Sequence, residues 1–314
     1  MKNYPKVSFG MVNCNRLFYL KSCLESLLEC TQDYPNKEII IVDNASTEKG
    51  TKEYLDSIKD ENIKIHITKE RDPSNEYARG LNTIYELSDG DYVIPLEGDL
   101  QFIVKGGWLK EYVDFFENNK ESTGSMSLDA QRTIRLNRGR YLFPKNQSKY
   151  KFVYNLSNHP ISGAGDAVYS REILDKMYPW VTENSSHEGG GDCETKMLAK
   201  IDKILGDKKS STFLAVPLFP VCTAIYTDPR GTNARIRGNK RYGKYWAPKD
   251  SFKYYEIHEY EEALKLTSDR DVPFGIEAVA NPIGWDKPLD QQGNWLKNPI
   301  RPENCTEDDY EVIH

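Results

Sequence analysis

No C-x-x-C pair joins the six cysteines of this chain, no apolar run approaches the roughly 18–20 residues of a membrane span, and positive charge is not in excess. Each absence removes a class of protein. Cys14, Cys23, Cys30, Cys193, Cys222 and Cys305 form no regular framework, which argues for free thiols in a reducing compartment rather than a disulfide-stapled scaffold. Lys+Arg 42 against Asp+Glu 48 leaves a net charge of −6, which argues against non-specific attraction to nucleic acid or anionic membranes. Met1–Lys6 leads straight into a short apolar segment with no secretory pattern, so a soluble cytoplasmic protein without a membrane span is expected. Internal repeats and low-complexity tracts are also missing.

What is present is an alternation of two hydrophobic periods. Val7–Val12, Glu38–Val42, Ile63–Ile67 and Asp91–Leu96 read as short strands. Leu17, Leu20, Leu24, Leu27 and Leu28 recur at helical spacing, and further helices are expected over Lys52–Lys59, Asn75–Leu87 and Trp108–Glu117. Strand and helix in turn predict an α/β fold: a Rossmann-like, mostly parallel central sheet flanked by helices. Beyond it, helices are expected at Arg171–Met177, Thr195–Leu205 and Tyr254–Leu266, and a buried strand at Thr212–Val221. Ser46 or Thr47 is expected to cap the helix that follows.

Two of the strands end on acids. Asp43 and Asn44 follow IIIV, and VIPLEGDL delivers Glu97 and Asp99 around a single glycine. An unpaired carboxylate is costly inside a core, and open α/β sheets bind ligands beyond the carboxyl ends of their strands. The acids therefore belong to an edge where a ligand collects, or they close turns and cap helices. A second acid-rich stretch, HEGGGDCE at 187–194, opens a helix, where first-turn acids also suit the helix dipole.

The order VSFGMVNCNR, EIIIVDNASTEKG, YARGLN, GDYVIPLEGDL, ISGAGDAVYSREIL and GGGDCETKMLAKI resembles family 2 glycosyltransferases with the type A fold, over about residues 6–205. The resemblance implies transfer of a sugar from a nucleoside diphosphate sugar, UDP foremost, to a hydroxyl of a glycan or glycoconjugate. Asp43 matches the family's nucleobase contact, with Asn13 and Asn44 bordering the nucleoside and Arg79 near the diphosphate. Asp99 matches the last acid of the Asp-x-Asp motif that holds Mn²⁺ or Mg²⁺, and Glu97 stands in for its first acid. Gly163 and Glu194 fall in the acceptor segment. Asp192 matches the general base, which with no protein nucleophile makes the reaction a single displacement with inversion.

The expected organisation is a catalytic domain over 1–246, divided into a donor half (1–105) and an acceptor half (106–246), followed by an extension, lid or interaction tail over 247–314. Gly191 replaces a family acid, and Glu97 is one methylene longer than aspartate. Both departures favour the alternative of a non-catalytic nucleotide-sugar or glycan-binding protein on the same scaffold. A Rossmann dehydrogenase is disfavoured because no G-x-G-x-x-G follows the first strand. A sugar-1-phosphate nucleotidyltransferase is disfavoured too, since GMVNCNRLFYL lacks a glycine-rich phosphate loop.

Overall fold

The computed structural model describes residues 4–128, 141–142, 151–156, 159–163, 165–181, 192–217, 221–224, 245–248, 257–263 and 310–313. The basic segment 230–244, Asp228 and most of the tail, with Trp285 and Trp295, lie outside the described residues.

Strand β1 (Val7–Asn13) leads through a tight turn into α1 (Leu17–Cys30), then β2 (Lys37–Asp43), α2 (Thr51–Ser57), β3 (Ile63–Ile67), α3 (Glu76–Leu87) and β4 (Tyr92–Leu96). Short strands β5 (Leu100–Phe102) and β6 (Val104–Lys105) precede α4 (Trp108–Asn118). Strands β7 (Thr123–Ser127), β8 (Tyr141–Leu142), β9 (Phe152–Asn155) and β10 (Ala167–Ser170) follow, then α5 (Arg171–Met177), α6 (Asp192–Leu198), α7 (Ile201–Leu205), β11 (Phe213–Pro217) and β12 (Cys222–Ala224).

Nine strands form one sheet in the order β3-β2-β1-β4-β10-β7-β11-β9-β8. The first four run parallel, in the register Asn13↔Asp43 and Met11↔Leu96. Only β10 and β9 run against the others. The doubly wound half keeps crossover helices on both faces, so the middle of β2 is apolar on both of its faces: Ile39 and Ile41 enter one core, Ile40 and Val42 the other.

Close packing sets where α3 lies. A Cβ on Gly80 of α3 would come within 2.7 Å of Val12, and one on Gly10 of β1 would run into Ile84. The two glycines let helix and strand approach backbone to backbone. The glycine of YARGLN is thus a packing residue that presses α3 onto the sheet beside the β1 tip.

Three expectations give way to local chemistry. The single helix over 195–205 is two short helices, broken at 199–200, where Lys200 N–H turns back to Met197. Of the strand expected over Thr212–Val221, Phe213–Pro217 is strand and Val221 is not. Cys222–Ala224 pairs instead with β5. Within the expected acidic helix, His258–Glu259 pairs in parallel with β6, and among the described residues 260–263 are helical. Tyr260 and Ala263 are buried in the same core as α1 and α4. Cys14, Cys23, Cys30, Cys193 and Cys222 are free thiols.

At the opposite end of the sheet from the acids, Glu38 of β2 is 3% exposed. Its carboxylate accepts the Ser8 hydroxyl at 2.5 Å and the Asp89 N–H at 3.0 Å, and pairs with Lys64 Nζ at 2.8 Å and Lys6 Nζ at 3.1 Å. Burial alone pushes this carboxyl up, but the Asp89 N–H, Lys64 and Ser8 outweigh it and hold it down at about 2. A depressed carboxylate stabilises the fold above its unfolded value, 4.5, and that stabilisation is lost as pH falls from about 4.5 towards 2. Glu38→Gln is expected to lower unfolding free energy at pH 7 by roughly 2–3 kcal/mol. In urea melts the variant should lose part of the wild-type dependence on pH in that window, and an unchanged slope would count against the network.

Candidate active site

The tips of β1, β2 and β4 converge. Asn13 and Asp43, paired in register, are 7% and 2% exposed, and Asn13 Nδ2 donates to Asp43 Oδ2 at 2.7 Å. Ser46 completes the knot. Its N–H reaches Asp43 Oδ1 at 2.9 Å, its hydroxyl donates to Oδ2 at 2.6 Å, and its Oγ accepts the Asn15 N–H at 2.6 Å. Ser46 therefore does not cap α2, whose N-cap is Gly50 in a left-handed conformation with no side-chain bond. Three donors satisfy the buried Asp43 carboxylate and leave lone-pair capacity on Oδ1. Beside it Asn44 is 3% exposed, and its Nδ2 has no hydrogen-bond partner among the described residues.

Strain marks the same edge. Every described non-glycine residue with positive φ lies there: Asn15 and Arg16 after β1, Ala45 after β2, and Asp166 against β4. Such residues cost of order 1–3 kcal/mol and persist only where surroundings over-determine them. Asn15 Oδ1 accepts the N–H groups of Thr47 and Glu48, and the Glu48 carboxylate in turn accepts those of Arg16 and Leu17, where α1 begins. The β2–α2 loop and the start of α1 thus hold each other.

After β4 the chain bends at Gly98, φ 82°, which puts Glu97 and Asp99 on either side of the turn. Asp166 bridges back to this tip. Its N–H donates to Pro95 O at 2.7 Å, and its carboxylate accepts the Glu97 N–H at 3.1 Å. Tyr77 of α3 lies beneath: its hydroxyl accepts the Gly165 N–H at 3.1 Å. Burial pushes the Tyr77 phenol well up, with Glu97 and Asp166 adding to the shift.

Two glycines carry this segment from β4 to α6. A Cβ on Gly165 would stand 3.2 Å from Glu97 Cγ, and one on Gly163 would meet both Cγ and the backbone oxygen of Glu194 at 2.8 Å. Gly163 therefore packs against α6, and its carbonyl accepts the Trp180 indole N–H at 3.1 Å. The helix that opens on Asp192 is seated against the segment that also braces Glu97. Burial raises the Tyr169 phenol in the same place, with Glu194, Asp166 and Glu97 contributing.

Arg79 stands apart from this cluster, its guanidinium 2.9 Å from Asp72 and its side chain 59% exposed. Arg71, which sequence reasoning overlooked, makes a two-pronged pair with Glu76 at 2.9 and 3.0 Å. Burial pushes the nearby Cys14 thiol up to about 11, and Glu76, Arg71, Asp43 and Arg16 are the charges that act on it. Arg16, Glu48 and Asp166 were also overlooked, and Ser46 was read only as a helix cap. All four stand in the quoted motifs, but side-chain partnership across strands has no linear signal.

Among the described residues no group of three His, Cys, Asp or Glu side chains forms a metal-binding set. Glu97 and Asp99 still fit a hard divalent ion of the kind bound by one or two carboxylates and completed by phosphate oxygens and water. Asp99 already has a positive partner, Arg16 Nη1 at 3.8 Å.

A parallel sheet that gathers carboxylates and amides at its carboxyl edge, with a glycine-bearing segment leading to a second acid-bearing helix, has the build of an enzyme handling a polar ligand at that edge. Residues 8–178, just over half the chain, match the model of Glycosyl transferase family 2, and the chain belongs to that family. A curated relative, "Uncharacterized protein y4gI" of Sinorhizobium fredii, is 30% identical over 113 residues, covering 36% of this chain and 12% of that protein. S. aureus TarS 1-349 in complex with UDP is 14% identical, with 75% of this chain and 65% of that one covered and a TM-score of 0.47. The mannosyltransferase PcManGT of Pyrobaculum calidifontis, in complex with GDP-Man and Mn²⁺, is 19% identical over 68% of this chain and 57% of that one, with a TM-score of 0.46. The chain thus spans less than two thirds of the length of these relatives. No helix among the described residues is long and apolar enough to cross a membrane.

Proposed function

We propose that this chain transfers a sugar from a nucleoside diphosphate sugar, UDP foremost, to a hydroxyl of a glycan or glycoconjugate, with inversion at the anomeric carbon. The observation that carries the reading is one continuous edge. Asn13, Asp43 and Asn44 leave β1 and β2, Glu97 and Asp99 leave β4, and the 161–166 segment joins that tip to the helix beginning at Asp192.

Each group has a task that its position suits. Asp43 Oδ1 keeps capacity to accept a nucleobase N–H, and Asn44 Nδ2 is a buried donor whose missing partner costs about 1–3 kcal/mol until an acceptor arrives. Glu97 and Asp99 would hold Mn²⁺ or Mg²⁺, which when bound neutralises charge on the departing diphosphate. Arg79 reaches a donor phosphate only by leaving Asp72. Gly163 and Glu194 shape the acceptor side, and Asp192 takes the proton from the attacking hydroxyl. One carboxylate base without a protein nucleophile means a single displacement, hence inversion.

Calorimetric titration of UDP, GDP and CDP, each with Mn²⁺ and with chelator, tests the donor half of this reading. One nucleotide should bind at least about 10-fold tighter with the metal, the worth of one charge-assisted contact. If no nucleotide binds under either condition, the reading fails.

A further inference from the structure

Asp99 faces a cation of the chain's own. Arg16 Nη1 lies 3.8 Å from Asp99 Oδ2, too long for a hydrogen bond and within ion-pair reach, with both side chains partly exposed, 32% and 22%. The guanidinium also sits over the Tyr19 ring, 5.1 Å from its centroid, a contact an arginine makes through its flat face while its N–H fork stays available.

The backbone beneath is held hard. Asn15 and Arg16 are consecutive left-handed residues, both at φ 57°, a conformation costing roughly 1–2 kcal/mol per non-glycine residue. Four bonds enforce it at Arg16 and its neighbour: Arg16 N–H to Glu48, Asn15 N–H to Ser46 Oγ, and Arg16 O accepting from Tyr19 N–H at 2.9 Å and Leu20 N–H at 3.2 Å. A fixed backbone with a half-exposed, loosely paired guanidinium is a side chain with two positions available and little backbone entropy to lose.

We propose that Arg16 is a diphosphate-binding residue of the donor site, held on Asp99 when no donor is present. This rests on the proposed function and deepens it. A divalent ion at Asp99 and the guanidinium compete for one carboxylate, because two positive groups on the same oxygens repel. A divalent ion held there would displace the guanidinium, whose planar fork matches the bidentate geometry of phosphate oxygens. Asp99 thus keeps a positive partner throughout, first Arg16 and then the ion, and the diphosphate meets two cations rather than one.

The assignment makes Arg16→Gln act in opposite directions on two ligands. Mn²⁺ alone should bind the variant about 3-fold tighter, since one competing ion pair is gone. UDP in the presence of Mn²⁺ should bind about 10-fold weaker, since one charge-assisted phosphate contact is gone. Inorganic pyrophosphate with Mn²⁺ should show the same loss, because the contact is to phosphate and not to the nucleoside. Arg16→Lys should keep most of the UDP affinity. A purely structural role for Arg16 weakens Mn²⁺ and UDP together and overturns the assignment. Unchanged UDP affinity in Arg16→Gln also overturns it while leaving the donor site standing, whereas a wild type that binds no nucleoside diphosphate overturns the parent reading and this one with it. Asp99→Asn supplies a variant that leaves the left-handed turn untouched. It frees the guanidinium without metal, so UDP affinity in chelator should rise about 3-fold over wild type, and a fall would again refute the assignment.

Discussion

Asp192→Asn is expected to bind the nucleoside diphosphate as wild type does and to transfer sugar about 10²–10⁴-fold more slowly, the usual contribution of a general base. The acceptor hydroxyl becomes nucleophilic only as it sheds its proton, and an amide at position 192 has no lone pair basic enough to take it. Donor binding is expected to be untouched because the proposed nucleotide contacts lie on β1, β2 and β4, whereas Asp192 opens a helix joined to them through Gly163 and Gly165. The measurement is release of nucleoside diphosphate from the nucleotide sugar that the calorimetric panel identifies, with titration of the same nucleotide alongside. A variant that turns over at the wild-type rate removes Asp192 from the mechanism. One that loses nucleotide binding in parallel means the division between donor and acceptor halves is wrong.

Asp99→Asn is expected to show the complementary loss. Nucleoside diphosphate affinity in Mn²⁺ should fall roughly 10- to 100-fold, corresponding to about 1.5–3 kcal/mol for contacts to a charged group, down to the level the variant itself shows in chelator. Two effects would combine at this residue: the proposed metal would lose a carboxylate ligand, and the tip of β4 would keep only Glu97 beside the bend at Gly98. Titration with Mn²⁺ and with chelator separates them, because metal-independent contacts survive in both. If Asp99→Asn keeps the full metal enhancement, the ion is held elsewhere and Glu97 and Asp99 close a turn.

The contrast between these two variants depends on features of unequal legibility. The placement of Asp43, Asp99 and Asp192 at the ends of elements was readable, because each lies where an apolar periodic segment stops or starts. Resemblance placed Gly163 in an acceptor segment, but its close packing on the backbone of Glu194, 31 residues away in sequence, was not readable. Ser46 read as a helix cap from its spacing to α2, and it serves instead as the hydroxyl that closes Asp43 against Asn13. A short polar side chain satisfies whichever partner the fold brings nearest, and spacing along one segment cannot rank partners on another.

By itself the sequence determined the element order from β1 to β4 and the helix α4 beyond it, though not β5 and β6 between them, the two-faced apolar character of β2, and the delivery of acids to the carboxyl ends of strands, because period and burial are local consequences of side-chain chemistry. Tertiary structure alone decided the rest: that β10 inserts antiparallel between β4 and β7, that Asp166 braces Glu97, that Glu48 holds the start of α1, and that Arg16 turns its guanidinium to Asp99. Those contacts join residues tens of positions apart, and their energies depend on distance in space, which only the closed sheet sets.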